Sequence, residues 1–369
     1  MTAELMKFEQ LSRFLFYLQV DLSAFTQLPS RKVRFSKVGL PPLPGCPSLP
    51  PDKPCLVTSH RKFPAMSNTQ SVSSIPLTSS PALIPQQTTV GRWTLTRLIS
   101  KGSLTALYEA RPENVSLDRP ADYVAKVLHP EHQNDELAVS LLRSEAHVGS
   151  HVTHPNLISI LAAQIDEAPY YLIMPYLQGE SVRTQLDIGT LPVLPQTFWI
   201  ARQVAEALNA MHSQGWMHAD IKPDNIMVSS QGHATLIDLG FSCRLDSIGA
   251  VTDRPFLGTM YYVAPELFIT SRMPDARSDI YSLGATLYEM LTGRPPFQCE
   301  SSDELAIAHL RQVPTNPRSL VPQIPSDVSQ LLLQMLSKEP LRRPQTATEL
   351  IQKFIALEIE TFGNWELSL

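Results

Sequence analysis

The residues from His218 to Asn225, with the sequence HADIKPDN, constrain this chain more than any other segment. They follow a run with helical spacing of apolar residues and precede a run typical of a β-strand. Within six residues they place Asp220, Lys222 and Asn225, and Asp238 follows thirteen residues after Asn225. Carboxylate and amide oxygens are ligands that magnesium prefers, and a carboxylate can orient a hydroxyl group. The set therefore fits metal-assisted phosphoryl transfer from ATP.

These residues resemble the catalytic loop and the following metal motif of the protein kinase family, H-R-D-x-K-x-x-N and D-F-G. This chain has Ala219 in place of the arginine and Leu239 in place of the phenylalanine. Further motifs occur in the family's order: residues 258–266 resemble G-T-x-x-Y-x-A-P-E, and residues 339–344 resemble D-P-x-x-R-P. The resemblance covers residues 91 to about 355 and is greatest to bacterial eukaryotic-like serine/threonine kinases.

The resemblance implies a role for each polar residue of the segment. Asp220 is expected to act as the catalytic base or to orient the substrate hydroxyl, and Lys222 to steady the transferring phosphate. Asn225 and Asp238 are expected to hold Mg²⁺. A lysine at position 222 is typical of serine/threonine rather than tyrosine kinases. Thr259 is expected to contact Asp220 and Lys222.

Two other resemblances concern the support of this loop. The segment that starts at Asp279 resembles the helix-start motif that braces the catalytic loop in the family. Glu266 and Arg343, which belong to the two downstream motifs, are expected to form an ion pair in the larger lobe. Both features favour a protein kinase over a small-molecule kinase, since the latter lacks the A-P-E segment.

The expected nucleotide loop departs from the family pattern. A turn between the first predicted strands aligns with G-x-G-x-x-G, but only Gly102 remains, because Ser100 and Thr105 occupy the outer glycine positions. Non-glycine residues resist a positive φ, and their side chains keep the backbone away from phosphates. The sequence therefore predicts weak nucleotide affinity.

The remaining nucleotide contacts are also implied by the resemblance. Lys126, inside an apolar strand, is expected to bind the α and β phosphates and to pair with Glu145, nineteen residues later on a helix. Met174 is expected to line the back of the adenine pocket, and the backbone of Leu177 to meet the adenine edge. The residues expected to enclose the adenine ring are Leu107, Val124 and Met227.

The order of the predicted elements, strands first and helices afterwards, predicts an α+β fold of two lobes. The smaller lobe is expected to be mostly β and the larger one α-helical, behind a largely disordered N-terminal arm. The expected divisions are a short amphipathic segment (1–28), a Pro-, Ser- and Thr-rich linker (29–90), the kinase domain (91–358, with an N-lobe at 91–174 and a C-lobe at 178–358) and a tail (359–369).

The N-terminal arm carries two different patterns. Apolar residues in the first 28 positions have helical spacing on one face, which favours a short helix docked on its own protein or poorly ordered. A surface membrane anchor, assisted by the cations between Arg31 and Lys37, is the alternative. Residues 29–90 contain 12 of the 32 prolines, and such a composition offers too little apolar surface to compensate the entropy of ordering.

Composition restricts the possible partners and the compartment. A formal charge of -5 argues against a nucleic-acid binder. The four cysteines do not form a disulfide framework, and no apolar run is long enough to cross a membrane, so a cytoplasmic protein is expected. The expected partners are ATP and protein substrates with Ser or Thr hydroxyls; membrane association is not expected, and the oligomeric state is left open.

The sequence thus predicts an ATP- and Mg²⁺-dependent protein serine/threonine kinase, with the chain itself among its substrates. The alternative is a pseudokinase, a kinase fold that binds a partner and scarcely turns over. The depleted glycine loop supports this alternative. Against it, all of the expected catalytic and metal-binding residues are present: Lys126, Glu145, Asp220, Asn225 and Asp238.

Overall fold

The computed structural model describes residues 88–116, 120–245, 260–268 and 274–366, with side chains up to residue 361. All of them belong to one unit, Pro76–Leu369. Predictions for residues 1–87 and for Thr259 lie outside the described residues.

The smaller lobe contains a six-stranded antiparallel sheet. Its strands are β1 (Thr88–Val90), β2 (Trp93–Lys101), β3 (Thr105–Pro112), β4 (Tyr123–Leu128), β5 (Ala162–Gln164) and β6 (Tyr171–Pro175). Their order across the sheet is β1-β2-β3-β4-β6-β5. Apolar residues of β1, β2, β3, β4 and β6 form one core on this sheet, as expected for strands that alternate between apolar and polar residues.

Strand β1 lies within the segment that the sequence assigns to the disordered linker. Val90 pairs with Trp93, and Val90 packs with Leu95 and Ala110 in the core of the sheet. The linker boundary expected at residue 90 therefore differs from the structure. The composition of residues 29–90 as a whole conceals this strand, because it is only three residues long.

One helix of the smaller lobe carries the residue expected to pair with Lys126. Helix α1 spans Glu136–His151, and its N-cap Asp135 accepts hydrogen bonds from the backbone of Leu137 and Ala138. Its buried face, which contains Glu145, faces the sheet core through Leu142 and Ala146. The helix ends at His151, three residues before His154, whose place before Pro155 disfavours a helical conformation.

The larger lobe is helical, with short two- and three-residue strands beside its catalytic loop. The helices are α2 (Val182–Asp187), α3 (Leu194–Ser213), α4 (Ala276–Thr292), α5 (Ser302–Arg311), α6 (Pro317–Leu320), α7 (Ser326–Met335) and α8 (Ala347–Glu366). The short strands are β7 (Glu180–Ser181), β8 (Trp216–Met217), β9 (Ile226–Val228), β10 (Ala234–Leu236) and β11 (Cys243–Arg244). The predicted two-lobed α+β fold is confirmed.

Helix α4 is the centre of this lobe. Every residue from Ser278 to Leu291 is buried, which is typical of a helix in the centre of a lobe. The helix begins at Ala276, where Asp275 caps the backbone N–H of Arg277, three residues before the predicted start. Such a helix offers a fixed platform for the loops that pack on its first turn.

Helix α8 continues past the expected end of the domain at residue 358. The ring centroid of Phe354 on α8 lies 6.0 Å from that of Phe198 on α3. Glu358 of α8 binds Arg202, which also belongs to α3. Thr361 is also buried. The division expected between domain and tail at residue 359 therefore falls inside a helix. Of the helices described, none is long and apolar enough to cross a membrane.

Candidate active site

The catalytic loop is fixed to the first turn of α4. The backbone N–H groups of His218 and Ala219 each donate to the carboxylate of Asp279, over 2.9 Å in both cases. Asp279 is buried and also lies 2.8 Å from Nε2 of His212. Ala219 has a φ of 65°, an uncommon conformation for a residue with a side chain. The predicted brace between the loop and the helix start is confirmed.

Asp220 lies at the centre of a compact hydrogen-bonded group. Its Oδ2 accepts from Lys222 Nζ over 2.7 Å and from Asn225 Nδ2 over 2.8 Å. Asn225 Nδ2 also donates to the Asp220 carbonyl over 2.7 Å. Burial of the carboxyl raises the pKa of Asp220, and the charge of Lys222 opposes this shift. The structure therefore brings the three predicted catalytic residues together around one carboxylate.

Lys126 connects the two lobes at the other side of the site. Its Nζ lies 2.7 Å from Glu145 Oε2 on α1 and 3.0 Å from Asp238 Oδ1. Burial acts to lower the pKa of Lys126, but the charges of Asp238 and Glu145 outweigh it and raise the pKa. The predicted pair between Lys126 and Glu145 is present.

Asp238 lies two residues after the end of β10 and has a φ of 65°. Burial alone would raise the pKa of its carboxyl, but Lys126 lowers that pKa to about 2. The carboxylate is therefore charged at neutral pH. The backbone N–H of Ile237 donates to the Asn225 carbonyl over 2.9 Å, so the loop that carries Asn225 is tied to the residue before Asp238.

The residues present fit a divalent metal ion. Asn225 Oδ1 and Asp238 Oδ2 accept no hydrogen bond from any residue that the structure describes. Oxygen ligands of this kind suit a hard cation. No group of three or more His, Cys, Asp or Glu that could hold a metal occurs in the described ranges. A metal at this place would therefore complete its shell with phosphate oxygens and water.

The backbone conformation of the nucleotide loop does not support the reason given for weak nucleotide affinity. Among the described non-glycine residues only Ala219 and Asp238 have a positive φ, so Ser100 and Thr105 do not. Gly102 does not have one either. Residues at positions 100 and 105 belong to the ladders of β2 and β3, where a β conformation suits any side chain. The expectation of strain at these positions is wrong.

The expected adenine contacts on the sheet share one face. Leu107 is paired with Lys126 across β3 and β4, and Val124 is paired with Met174 across β4 and β6. Because side chains on a strand alternate with a period of two, these four residues lie on the same side of the sheet. Leu177 follows β6 in the segment that joins the lobes, and Leu177 packs on the core of the larger lobe.

Met227 is the expected contact from the larger lobe. It lies on β9, where it pairs with Ser181 of β7 and Thr235 of β10, and it is half-buried. The path of the chain near it is constrained by Gly179, where a Cβ would collide with the carbonyl oxygen of Val228. Enclosure of an adenine ring between Met227 and the sheet remains a prediction.

A polar network beside the catalytic loop has no counterpart in the sequence-based predictions. Arg183 on α2 binds Glu289 of α4 through Nη1 at 3.0 Å and Nη2 at 3.1 Å. It also contacts Tyr262, and its Nε lies 3.5 Å from Asp224. No motif spacing marks an arginine at position 183, so only the structure links these four segments.

Comparison with known proteins agrees with this geometry. The family model described as the protein kinase domain matches residues 94–355. The chain belongs to the protein kinase family. This family uses ATP together with a divalent metal ion, which agrees with the lysine, acid and amide groups gathered between the lobes.

Two of the similar proteins are bacterial serine/threonine-protein kinases. The chain is 31% identical over 261 residues to the serine/threonine-protein kinase PrkC of Bacillus subtilis, a match that covers 70% of this chain and 39% of the relative. It is 32% identical over 265 residues to the serine/threonine-protein kinase PknB of Mycobacterium leprae, with 70% and 42% covered. It therefore matches about two-fifths of the length of these kinases.

Proposed function

We propose that this chain is a protein serine/threonine kinase that transfers the γ-phosphoryl group of ATP to Ser and Thr hydroxyls of proteins, including its own. The observation that carries the proposal is the hydrogen-bonded group of Asp220, Lys222 and Asn225 in the larger lobe. Lys126 of the smaller lobe reaches the same site, where it contacts Asp238. Acid, cation and metal-binding amide are the parts that phosphoryl transfer requires.

Asp220 is proposed to orient the attacking hydroxyl and to accept its proton. Its Oδ2 is engaged by Lys222 and Asn225, whereas its Oδ1 accepts no hydrogen bond from the described part of the chain. One carboxylate oxygen is therefore held by the protein and the other is left for the substrate hydroxyl. This division fixes the orientation of the carboxylate, which favours attack in one direction.

The two lysines are proposed to act on the phosphates from opposite lobes. Lys222, held by Asp220, would place its charge beside the phosphoryl group that moves. Lys126, held between Glu145 and Asp238, would bind the α and β phosphates. Positive charges fixed in advance stabilise the negative charge on the transferring group without a cost of reorganisation during the reaction.

Mg²⁺ is proposed as the divalent ion, held by Asn225 and Asp238. The low pKa of Asp238 keeps its carboxylate ionised, and the amide oxygen of Asn225 adds a neutral oxygen ligand. When bound, such an ion neutralises phosphate charge and orients the γ-phosphoryl group. Magnesium suits a site with few protein ligands, because it keeps several waters and binds phosphates readily.

Specificity for Ser and Thr, and the place of action, are part of the same proposal. Lys222 at its position in the catalytic loop is typical of serine/threonine kinases, and the relatives named above carry that description. The supply of ATP and four cysteines without a disulfide framework favour the cytoplasm. The adenine is proposed to bind between Leu107, Val124, Met174, Leu177 and Met227.

A pseudokinase is the second candidate, and the glycine-poor loop is the observation that favours it. The two candidates differ in one measurable property. Wild-type full-length chain is incubated with ATP and Mg²⁺, alone and with a generic basic protein, and the products are analysed by mass spectrometry. The kinase proposal predicts phosphoserine and phosphothreonine that disappear when EDTA removes the metal. ATP binding without any phosphorylated residue would favour the pseudokinase.

A further inference from the structure

His129 makes two hydrogen bonds to the nucleotide loop, which is the turn between β2 and β3. It follows β4 directly and is buried. Its backbone N–H donates to the carbonyl of Leu104 over 2.9 Å. Its ring Nε2 lies 3.0 Å from the carbonyl oxygen of Gly102, and because a carbonyl can only accept, Nε2 is the donor. One residue thus holds the carbonyl groups of Gly102 and Leu104 in the turn between β2 and β3.

The same turn is also closed and packed. The backbone N–H of Gly102 donates to the Thr105 carbonyl over 2.9 Å. Leu104 packs on a small apolar cluster that contains Leu128 and Val139. The tip of the loop is therefore attached to the connection between β4 and α1 by hydrogen bonds and by apolar contact.

In this turn two carbonyl groups are hydrogen-bonded to His129, whereas two backbone N–H groups are not engaged by the described residues. The carbonyls of Gly102 and Leu104 are engaged by His129. The backbone N–H groups of Ser103 and Leu104 make no hydrogen bond to any residue that the structure describes. Carbonyl oxygens carry partial negative charge and repel phosphate, whereas free backbone N–H groups attract it. A loop with bound carbonyls and free amides is suited to an anion.

We propose that His129 is a positioning residue for the phosphates of ATP: it holds the carbonyls of the nucleotide loop on itself and leaves the loop amides free to bind phosphate oxygens. In this way a loop with one glycine keeps a shape that suits phosphate binding, although Ser100 and Thr105 replace the outer glycines. The inference rests on the ATP site proposed above.

A purely structural role for His129 makes a different prediction from a positioning role. If His129 only stabilises the smaller lobe, its loss weakens the binding of every ligand of the lobe to the same extent. If it positions the loop amides, its loss weakens ligands with phosphates and spares adenosine, which has none. Comparing ADP with adenosine in the presence of Mg²⁺ therefore isolates the phosphate contribution without requiring any catalysis.

The experiment titrates full-length wild type, His129→Ala and His129→Gln with adenosine and with Mg-ADP by calorimetry. His129→Ala removes only the ring hydrogen bond and is expected to weaken ADP binding by about three- to tenfold, the range of one lost hydrogen bond, and adenosine binding by less than about twofold. His129→Gln should recover part of the ADP affinity, because its amide can donate to the Gly102 carbonyl. His132→Ala, which changes a neighbouring histidine without a bond to the loop, should match wild type.

Three results would overturn the inference. Equal weakening of ADP and adenosine would assign His129 a structural role, and unchanged affinities would assign it none. If His129→Ala does not fold, His129→Asn carries the test, because its amide is too short to take the place of the ring Nε2, and an ADP affinity equal to wild type for this variant would reject the inference. Failure of wild type to bind either ligand would instead overturn the proposed function itself.

Discussion

Arg343 and Glu266 form a buried, bidentate ion pair between segments 77 residues apart in the chain. Nη1 lies 2.6 Å from Oε1 and Nη2 lies 2.7 Å from Oε2. Arg343 also donates to the carbonyls of Ser337 and Arg277, both over 2.8 Å, and Ser278 donates to Glu266. The pair expected from the two downstream motifs is confirmed, and its polar atoms have further partners.

Arg343→Ala should destabilise the larger lobe strongly. Removal of one partner leaves Glu266 as a buried charge without compensation, which typically costs about 3–5 kcal/mol of the free energy of unfolding. Denaturant unfolding of the variant measures this loss. Arg342→Ala, which removes the adjacent exposed arginine, is the matched control and should unfold like wild type. Equal curves for Arg343→Ala and wild type would show that the pair contributes little.

Lys338 should make stability depend on pH. Its Nζ lies 4.3 Å from the centroid of the Phe297 ring and 3.5 Å from Tyr281 Oη. Burial lowers its pKa to about 7, and Arg343 acts in the same direction. An unfolded lysine has a pKa of about 10.4, so between these values the unfolded chain binds more protons and stability rises with pH. Below the lowered pKa, the lysine is charged in both states, and the full free-energy penalty of burying its charge remains.

Lys338→Met removes this penalty. The variant should melt above wild type at about pH 6.5, and the difference should shrink as the pH approaches about 9.5, because the folded wild type is then neutral at this residue. Melting curves across this range measure the effect. Lys353→Met changes a more exposed lysine on α8 and is the matched control for the loss of a lysine side chain. A difference for Lys338→Met that stays constant with pH would contradict the lowered pKa.

Restoring the missing glycines should not tighten ATP binding. Neither position 100 nor position 105 has a positive φ, so glycine offers no conformational relief there, and its added freedom in the unbound loop works against binding. The Ser100→Gly/Thr105→Gly double variant should bind Mg-ATP with an affinity equal to or below that of wild type. A clearly tighter titration would show that the side chains obstruct the phosphates.

The parts of the site that sequence predicts best are those whose chemistry requires fixed spacing. Asp220, Lys222 and Asn225 lie within six residues of one loop, so the chain itself keeps them close together in space. Lys126 and Glu145 were placed by a strand and a helix with clear apolar periodicity. For such residues local pattern and chemistry agree, and the structure gives the same arrangement.

The parts that sequence missed depend on contacts between distant segments. His129 binds a loop 27 residues earlier, and Arg183 reaches Glu289 across 106 residues. Neither residue type nor spacing marks these contacts. The short strand β1 and the last turns of α8 were missed for another reason, since their order comes from packing on neighbouring elements rather than from local propensity.

The central claim is that Asp220 serves the transfer step and not nucleotide binding. Asp220→Asn keeps the shape of the side chain but removes its charge and its capacity to accept a proton. Its Mg-ATP affinity and its rate of phosphoryl transfer to Ser and Thr are measured on the same full-length preparation, beside wild type and Asp187→Asn, an exposed aspartate outside the loop.

The account predicts that Asp220→Asn binds Mg-ATP within about twofold of wild type and transfers phosphate at least about a hundredfold more slowly, the range expected for loss of a catalytic acid or base. Asp187→Asn should match wild type in both measurements. Transfer by Asp220→Asn at the wild-type rate would contradict the account.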